Sequence, residues 1–154
     1  MNRWTQSGRT IAGLLLLLAA AAGLPTPAPG ADTVRLGIEV IYASNEGQQI
    51  DPSLARVKRQ LQSFRYSSYR RLDSHELVRS IGQQGTVPLP GGRTLLLAPQ
   101  GLSGGSVVLL ASIQESGRVL LNTELKLASG GTILVGGPVY QAGVLILAIT
   151  AATP

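Results

Sequence analysis

The clearest local pattern in the sequence is an alternation of apolar and polar residues over positions 34–43. One face of this stretch carries the apolar residues Val34, Leu36, Ile38, Val40 and Tyr42. A period of two residues predicts a β-strand with one buried face. Residues 44–47, Ser-Asn-Glu-Gly, have the composition of a turn, so the strand is expected to end there.

A helical period follows in residues 51–64. The apolar residues that recur on one stripe are Leu54, Val57, Leu61 and Phe64. Asp51 and Pro52 are typical of a helix start, because aspartate accepts hydrogen bonds from free N–H groups and proline fits the first helical position. The sequence predicts one amphipathic α-helix over about 51–64, which needs tertiary packing to persist.

The rest of the chain consists of short extended segments separated by Gly and Pro. The predicted strands are 69–72, 76–81, 86–89, 93–98, 106–113, 118–127, 132–135 and 144–150. Gly136-Gly137-Pro138 and Gly143 are expected to bracket the last hairpin. Connections this short favour antiparallel pairing of successive strands. The predicted fold is therefore mainly β, an antiparallel sandwich or small barrel with one helix.

Three late segments are apolar runs without alternation, at positions 95–97, 107–110 and 144–149. Such runs suit central strands that are buried on both faces, with the helix covering one of them. The alternative is that one face packs against a partner. An exposed apolar strand edge would also invite pairing with another chain.

The first 30 residues have the composition of a secretory signal peptide. Arg3 and Arg9 precede an apolar run over 11–24, and prolines follow it. The run is too short for the roughly 20 residues of a membrane span. We expect cleavage near Gly30, with the alanines at 20–22 as a competing site, and export to the periplasm or exterior. An uncleaved N-terminal anchor is the alternative. Residues 32–154 then form a single β-rich domain without a further transmembrane span.

Composition narrows the possible chemistry. The chain has no Cys, which excludes a disulfide scaffold, a Cys-based zinc site and a thiol nucleophile. The formal net charge of +5 falls to +3 when Arg3 and Arg9 leave with the signal peptide. The glycine pairs at 130–131 and 136–137 lack the Lys-Ser/Thr of a phosphate loop, and no serine-hydrolase or zinc-protease motif occurs. We therefore predict no cofactor and no metal site.

A group of basic residues lies between Asp51 and Asp73 with no acidic residue among them. Its members are Arg56, Lys58, Arg59, Arg65, Arg70 and Arg71. Such a group predicts an anionic partner, for example phosphate, a lipid head group or an acidic polysaccharide. The interleaved Tyr66 and Tyr69 are also typical of a single-stranded nucleic-acid surface, but export argues against nucleic acid. The alternative is a solvated helix face followed by an edge strand that is guarded by charge.

The only histidine, His75, is two residues from Asp73. The two side chains would project from the same face of a strand, which suits acid–base chemistry or one half of a metal site. The sequence does not indicate a third ligand for such a metal site. The adjacent Ser74 would point to the opposite face of the strand. The alternative is a polar turn or an exposed strand end.

The overall layout resembles that of uncharacterised exported β-rich domains of Gram-negative bacteria. The residues that carry this resemblance are 121–125, 130–137 and 143–149. Their strand, Gly-turn and Gly-Gly order is similar to the end of the secretin domain in outer-membrane secretion channels. The chain is shorter than a secretin and lacks the repeated small domains that precede its pore. The resemblance implies association with envelope or secretion machinery.

We expect a non-enzymatic, exported envelope protein that binds or scaffolds through its strand edges or its Arg-rich patch. Its expected partner is an envelope protein or an anionic surface polymer. One alternative is an anionic-polymer or lipid head-group binder that uses the basic group. Another is a small hydrolase that uses His75 with Asp73.

Overall fold

The computed structural model describes residues 32–154, and the predicted signal segment with its cleavage sites lies outside them. Within these residues, eight strands form two four-stranded sheets. The strands are β1 Thr33–Ser44, β2 Ser68–Ser80, β3 Gly85–Leu89, β4 Arg93–Ser103, β5 Ser106–Glu115, β6 Arg118–Ala128, β7 Gly131–Tyr140 and β8 Gly143–Ala152. The predicted mainly-β antiparallel architecture is confirmed, in its sandwich form.

Sheet 1 has the strand order β2-β1-β8-β7, and sheet 2 has the order β3-β4-β5-β6. Sheet 2 is a simple meander of consecutive strands. In sheet 1, the pairing of β1 with β8 joins the beginning of the domain to its end. Strands β2 and β7 are therefore the two edges of sheet 1.

The main core lies between the two sheets. β1 supplies Val34, Leu36, Ile38 and Val40 to it, which is the face that the alternation predicted. The other strands contribute mainly aliphatic side chains, among them Leu95, Leu97, Val107, Leu109, Leu145 and Leu147. Burial of these side chains is the main favourable term in the stability of the sandwich.

A second apolar cluster lies on the other face of sheet 1, under residues 51–64, the helical segment. Leu54, Val57 and Leu61 are buried there against Ile41 and Ile146. The predicted stripe is thus confirmed, and it covers one face of β8 as expected.

The continuous helix predicted over 51–64 is wrong. The segment forms one 3₁₀ turn, Pro52–Leu54, and a short α-helix, α1, Lys58–Leu61. Val57 precedes α1 without a side-chain cap. Arg56 and Arg59 are like charges one turn apart, and no acidic residue lies within four positions of either in the sequence. Packing on the sheet therefore maintains the segment, rather than helix propensity.

Several predicted strand ends are β-bulges inside longer strands. The predicted strands 69–72 and 76–81 form one strand, β2, whose ladder with β1 omits Leu72. The ladders of β4 and β7 shift register at Pro99/Gly101 and at Gly136/Val139. A bulge leaves one residue outside the ladder, so Gly and Pro are tolerated there. The last hairpin consequently turns after Tyr140, later than predicted.

The apolar runs of β4, β5 and β8 do lie in central strands. Only β8 is buried on both faces over most of its length. On the outer face of sheet 2, Leu96 is half-buried and Leu110 is exposed. Among residues 32–154, no helix has the length and apolar character needed to cross a membrane.

Candidate functional site

The basic residues predicted as one anion-binding group lie on different surfaces. Arg56, Lys58 and Arg59 are exposed on the helical segment, and Arg65 is exposed in the loop after it. Arg70 and Arg71 project from opposite faces of β2, because Arg70 pairs in register with Tyr42 and Arg71 with Ile41. Their grouping in the sequence therefore does not place all six on one surface.

Arg71 belongs to the structure that attaches the helical segment to β2. Its guanidinium lies 3.6 Å from the carboxylate of Glu39 on the outer face of sheet 1. Its backbone N–H donates a hydrogen bond of 3.3 Å to Oδ2 of Asp51. Arg71 therefore has a carboxylate partner on its own sheet, unlike Arg70.

Asp51 caps the start of the helical segment, as its position in the sequence predicted. Its Oδ1 accepts hydrogen bonds from the backbone N–H of Ser53 at 2.9 Å and from the Ser53 hydroxyl at 2.6 Å. These bonds, helped by Arg71, hold the pKa of Asp51 below its ordinary value. The carboxylate thus joins the segment to β2 through charge-assisted hydrogen bonds.

Tyr69 anchors the other end of the helical segment. Its buried hydroxyl lies 2.8 Å from the carbonyl oxygen of Leu61, also contacts the carbonyl oxygen of Phe64, and accepts a hydrogen bond from the Tyr66 N–H at 3.3 Å. Burial raises the pKa of Tyr69. The buried ring is not placed to stack on a nucleic-acid base, and its hydroxyl serves the fold.

Arg70 borders an open cleft of about 840 Å³ at one end of sheet 1. Its guanidinium carbon lies 5.7 Å from the centroid of the Tyr42 ring. That ring packs edge-on against Tyr140, with the centroids 5.7 Å apart. The cleft is also lined by polar side chains of Ser44, Glu46, Gln49, Asp51, Ser68 and Gln141.

Tyr42 is a candidate residue that the sequence pattern did not reveal. It is 7% exposed, and its hydroxyl is buried without a hydrogen-bond partner among the described residues. Alternation placed Tyr42 on the buried face, which is correct. The pattern could not show that the hydroxyl would lack a partner, since that depends on distant residues that enclose the ring.

Asp73 and His75 do share a face of β2, as predicted, opposite Val40 and Ile38. His75 Nε2 lies 2.9 Å from Asp73 Oδ2, although the contact lacks the alignment of a hydrogen bond. Ser74 is opposite Glu39 and projects from the other face, so it does not meet the His75 ring. Within residues 32–154, no three His, Asp or Glu side chains are placed to hold a metal ion.

The four edge strands differ in the features that discourage pairing with another chain. β2 carries Arg70, Arg71, Asp73, Glu76 and Arg79, and β6 carries Arg118, Glu124 and Lys126. β3 is short and contains Pro88, which has no N–H to donate. β7 has no charged side chain, and its proline, Pro138, lies in the bulge that follows Gly136.

The uncharged edge of β7 is regular along its first half. Residues Gly131 to Gly136 pair without interruption with β8. Ile133 and Val135 pack against the main core, and Leu134 packs against the second cluster. The other backbone edge of this stretch has no strand partner among the described residues.

Comparisons with protein-family models, with curated proteins and with solved structures find no match for this chain. Three features of residues 32–154 bear on function: the cleft beside Arg70, the Asp73–His75 contact and the uncharged edge of β7.

Proposed function

We propose that residues 32–154 are an exported, non-enzymatic binding module of the cell envelope, which holds an envelope protein by strand pairing at β7. Export is supported by the basic, apolar and proline-rich order of the first 30 residues. The resemblance of residues 121–125, 130–137 and 143–149 to the end of a secretin domain supports a place beside envelope or secretion machinery.

The edge of β7 is the observation that carries this proposal. Natural sheets protect their edges with charged side chains, proline or short strands, because free N–H and C=O groups are a template for another strand. β2, β3 and β6 have such protection, whereas Gly131 to Gly136 of β7 have none. Since Ile133 and Leu134 already pack within the domain, the edge offers mainly backbone hydrogen bonds to a partner.

A small hydrolase is the second candidate, because the Asp73–His75 contact of 2.9 Å is one half of an acid–base arrangement. The test is His75→Ala in any hydrolytic activity that the purified domain displays. Loss of the activity with unchanged folding would favour the hydrolase, and survival of the activity would rule out this pair as its source.

Export is tested by the N-terminus of the protein recovered from cell fractions. We expect an envelope or secreted form that begins between about residues 23 and 32 and has lost the fluorescence of Trp4. A product that retains Met1 and stays in the cytosol would contradict the proposal.

Strand pairing is tested by placing a charge on the edge without disturbing the core. Thr132 lies in the regular stretch of β7 and Thr123 lies in β6, and both are half-buried, so Thr132→Lys and Thr123→Lys are matched variants. Envelope proteins retained by the purified wild-type domain should be lost with Thr132→Lys and kept with Thr123→Lys. The same partner should also slow amide exchange in β7.

Unchanged thermal unfolding of both variants would show that folding is not the cause of any loss. Equal retention by the two variants, or protection of an edge other than β7, would overturn strand pairing at β7.

A further inference from the structure

We propose that the cleft beside Arg70 binds a carboxylated saccharide. The site lies where β1 and β2 meet residues 46–52, away from the edge of β7, so the inference does not depend on strand pairing. It rests on the free charge of Arg70, on the support that the Tyr42 ring gives to the Arg70 guanidinium and on the other side chains that line the cleft.

Arg70 is the basic residue of the cleft lining, and it is available for a ligand. Its side chain is exposed, and no acidic side chain in residues 32–154 lies within ion-pair distance of it. The Tyr42 ring supports the guanidinium from one side. The planar guanidinium donates two parallel hydrogen bonds to a carboxylate, which gives direction as well as charge.

The Tyr42 ring fixes the position of the guanidinium. The residue is 7% exposed, its ring packs edge-on against Tyr140, and the guanidinium carbon of Arg70 lies 5.7 Å from the ring centroid. A guanidinium that already rests on a buried ring loses less conformational freedom when it binds a ligand.

The remaining lining favours a ligand that is rich in hydroxyl groups. Ser44, Gln49, Ser68 and Gln141 both donate and accept hydrogen bonds, as sugar hydroxyls do. Ile50 and Pro52 provide an apolar strip for the C–H face of a sugar ring. A volume of about 840 Å³ lies within the usual range of small-ligand sites, which reaches about 1,000 Å³.

The charges of the lining favour a carboxylate over a phosphate. Glu46 and Asp51 line the cleft together with Arg70. A doubly charged phosphate would meet two carboxylates with only Arg70 to offset them, whereas a sugar carboxylate brings one charge. The hydroxyls of the same sugar can then donate to Glu46, which forms no ion pair within the described part of the chain.

The test is calorimetric titration of the purified protein with a galactose trisaccharide that ends in a single galacturonate, with the neutral galactose trisaccharide and with inorganic phosphate. We expect binding of the uronate trisaccharide alone. Arg70→Gln should weaken that binding at least about tenfold, because a charge-assisted bidentate contact is lost. Tyr42→Phe keeps the ring under Arg70, so it should leave the affinity unchanged and the unfolding temperature unchanged or higher, because the hydroxyl has no partner in the free protein.

Arg59→Gln is the matched control, since Arg59 is equally charged and is exposed on α1. It should leave the affinity for the uronate trisaccharide unchanged. Absence of uronate trisaccharide binding at millimolar concentration, equal binding of the neutral sugar, or stronger binding of phosphate would each overturn the proposal. An equal loss of affinity with Arg59→Gln would do so as well.

Discussion

Strands β2 and β7 are opposite edges of one sheet, and different kinds of contact hold them in place. β2 is anchored by polar groups: the Tyr69 hydroxyl, the Asp51 carboxylate and the Arg71–Glu39 pair. β7 is held by apolar side chains, and the hairpin that joins it to β8 approaches the backbone of β1 closely at Gly143. β2 is rich in charge, whereas β7 has none.

This contrast separates two roles of charge at a sheet edge. On β2, charged and polar side chains attach a covering segment and also discourage a further strand. On β7, tight packing provides the attachment, so no charge is needed for stability and the edge is left open. Substitutions at β7 should therefore act through steric fit, while those at β2 should act through hydrogen bonds and respond to pH.

The largest expected effect is at Gly143, which anchors the uncharged side of the sheet. An alanine Cβ at this position would overlap the backbone carbonyl of Ala43, which cannot move without disturbing the β1–β8 ladder. Gly143→Ala should lower the free energy of unfolding by more than about 3 kcal/mol, measured by denaturant titration. Gly101→Ala is the control, since a Cβ there meets no atom within 4 Å. Equal stability of the two variants would contradict the steric explanation.

A smaller effect is expected at Tyr69, on the charged side. Tyr69→Phe leaves the carbonyls of Leu61 and Phe64 without their hydroxyl partner, and should cost about 1–3 kcal/mol in unfolding free energy. Tyr66→Phe is the control, because the Tyr66 hydroxyl takes no part in these hydrogen bonds.

The pH dependence of the same variant provides a second measurement. Burial raises the pKa of Tyr69, so the folded protein keeps a proton that the unfolded chain releases above about pH 10. The contribution of the protonated Tyr69 hydroxyl to the free energy of unfolding is fully present below that pH, and it is lost as the pH rises through the pKa of the folded state. The alkaline loss should be smaller in Tyr69→Phe, and an identical alkaline profile in both proteins would count against this role.

The smallest effect is expected at Asp51. The substitution Asp51→Asn removes the negative charge and keeps a side-chain oxygen that can cap the helical segment. The pKa of Asp51 is lowered by its hydrogen bonds to Ser53, so its stabilising contribution is present above the unfolded-state pKa and is lost as the pH falls through the folded-state value. Asp51→Asn should unfold at a lower temperature than the wild type at pH 7. The difference should shrink below about pH 4. A difference that stays constant down to pH 2 would show that charge is not its cause.

Much of the fold could be predicted because burial imposes a simple period on the sequence. The alternation in β1 identified the strand and its core face, and the stripe Leu54, Val57 and Leu61 identified the covering segment. The errors came from backbone geometry. Gly136 to Val139 was predicted to interrupt β7, but a bulge absorbs the extra residue within the strand, and a local pattern of Gly and Pro does not distinguish the two.

The candidate sites could be predicted only where they depend on neighbouring residues. Asp73 and His75 are two apart on one strand, so their shared face followed from the period of a strand. The cleft depends on residues 46–52 returning beside β2, where Ile50 bridges to Tyr69, and no local pattern indicates that return. The unpartnered Tyr42 hydroxyl is likewise a property of the folded arrangement.

Leu72, the residue that the β1–β2 ladder skips, determines what each half of β2 can do. Before Leu72, the odd-numbered residues Tyr69 and Arg71 face the helical segment. After it, the odd-numbered residues Asp73 and His75 face the main core. Deleting Leu72 would invert one half of the strand: either Arg70 would leave Tyr42 and Tyr69 would leave α1, or Asp73 and His75 would leave the side of the main core. A single extra residue thus allows the first half of β2 to hold the helical segment and the second half to line the main core.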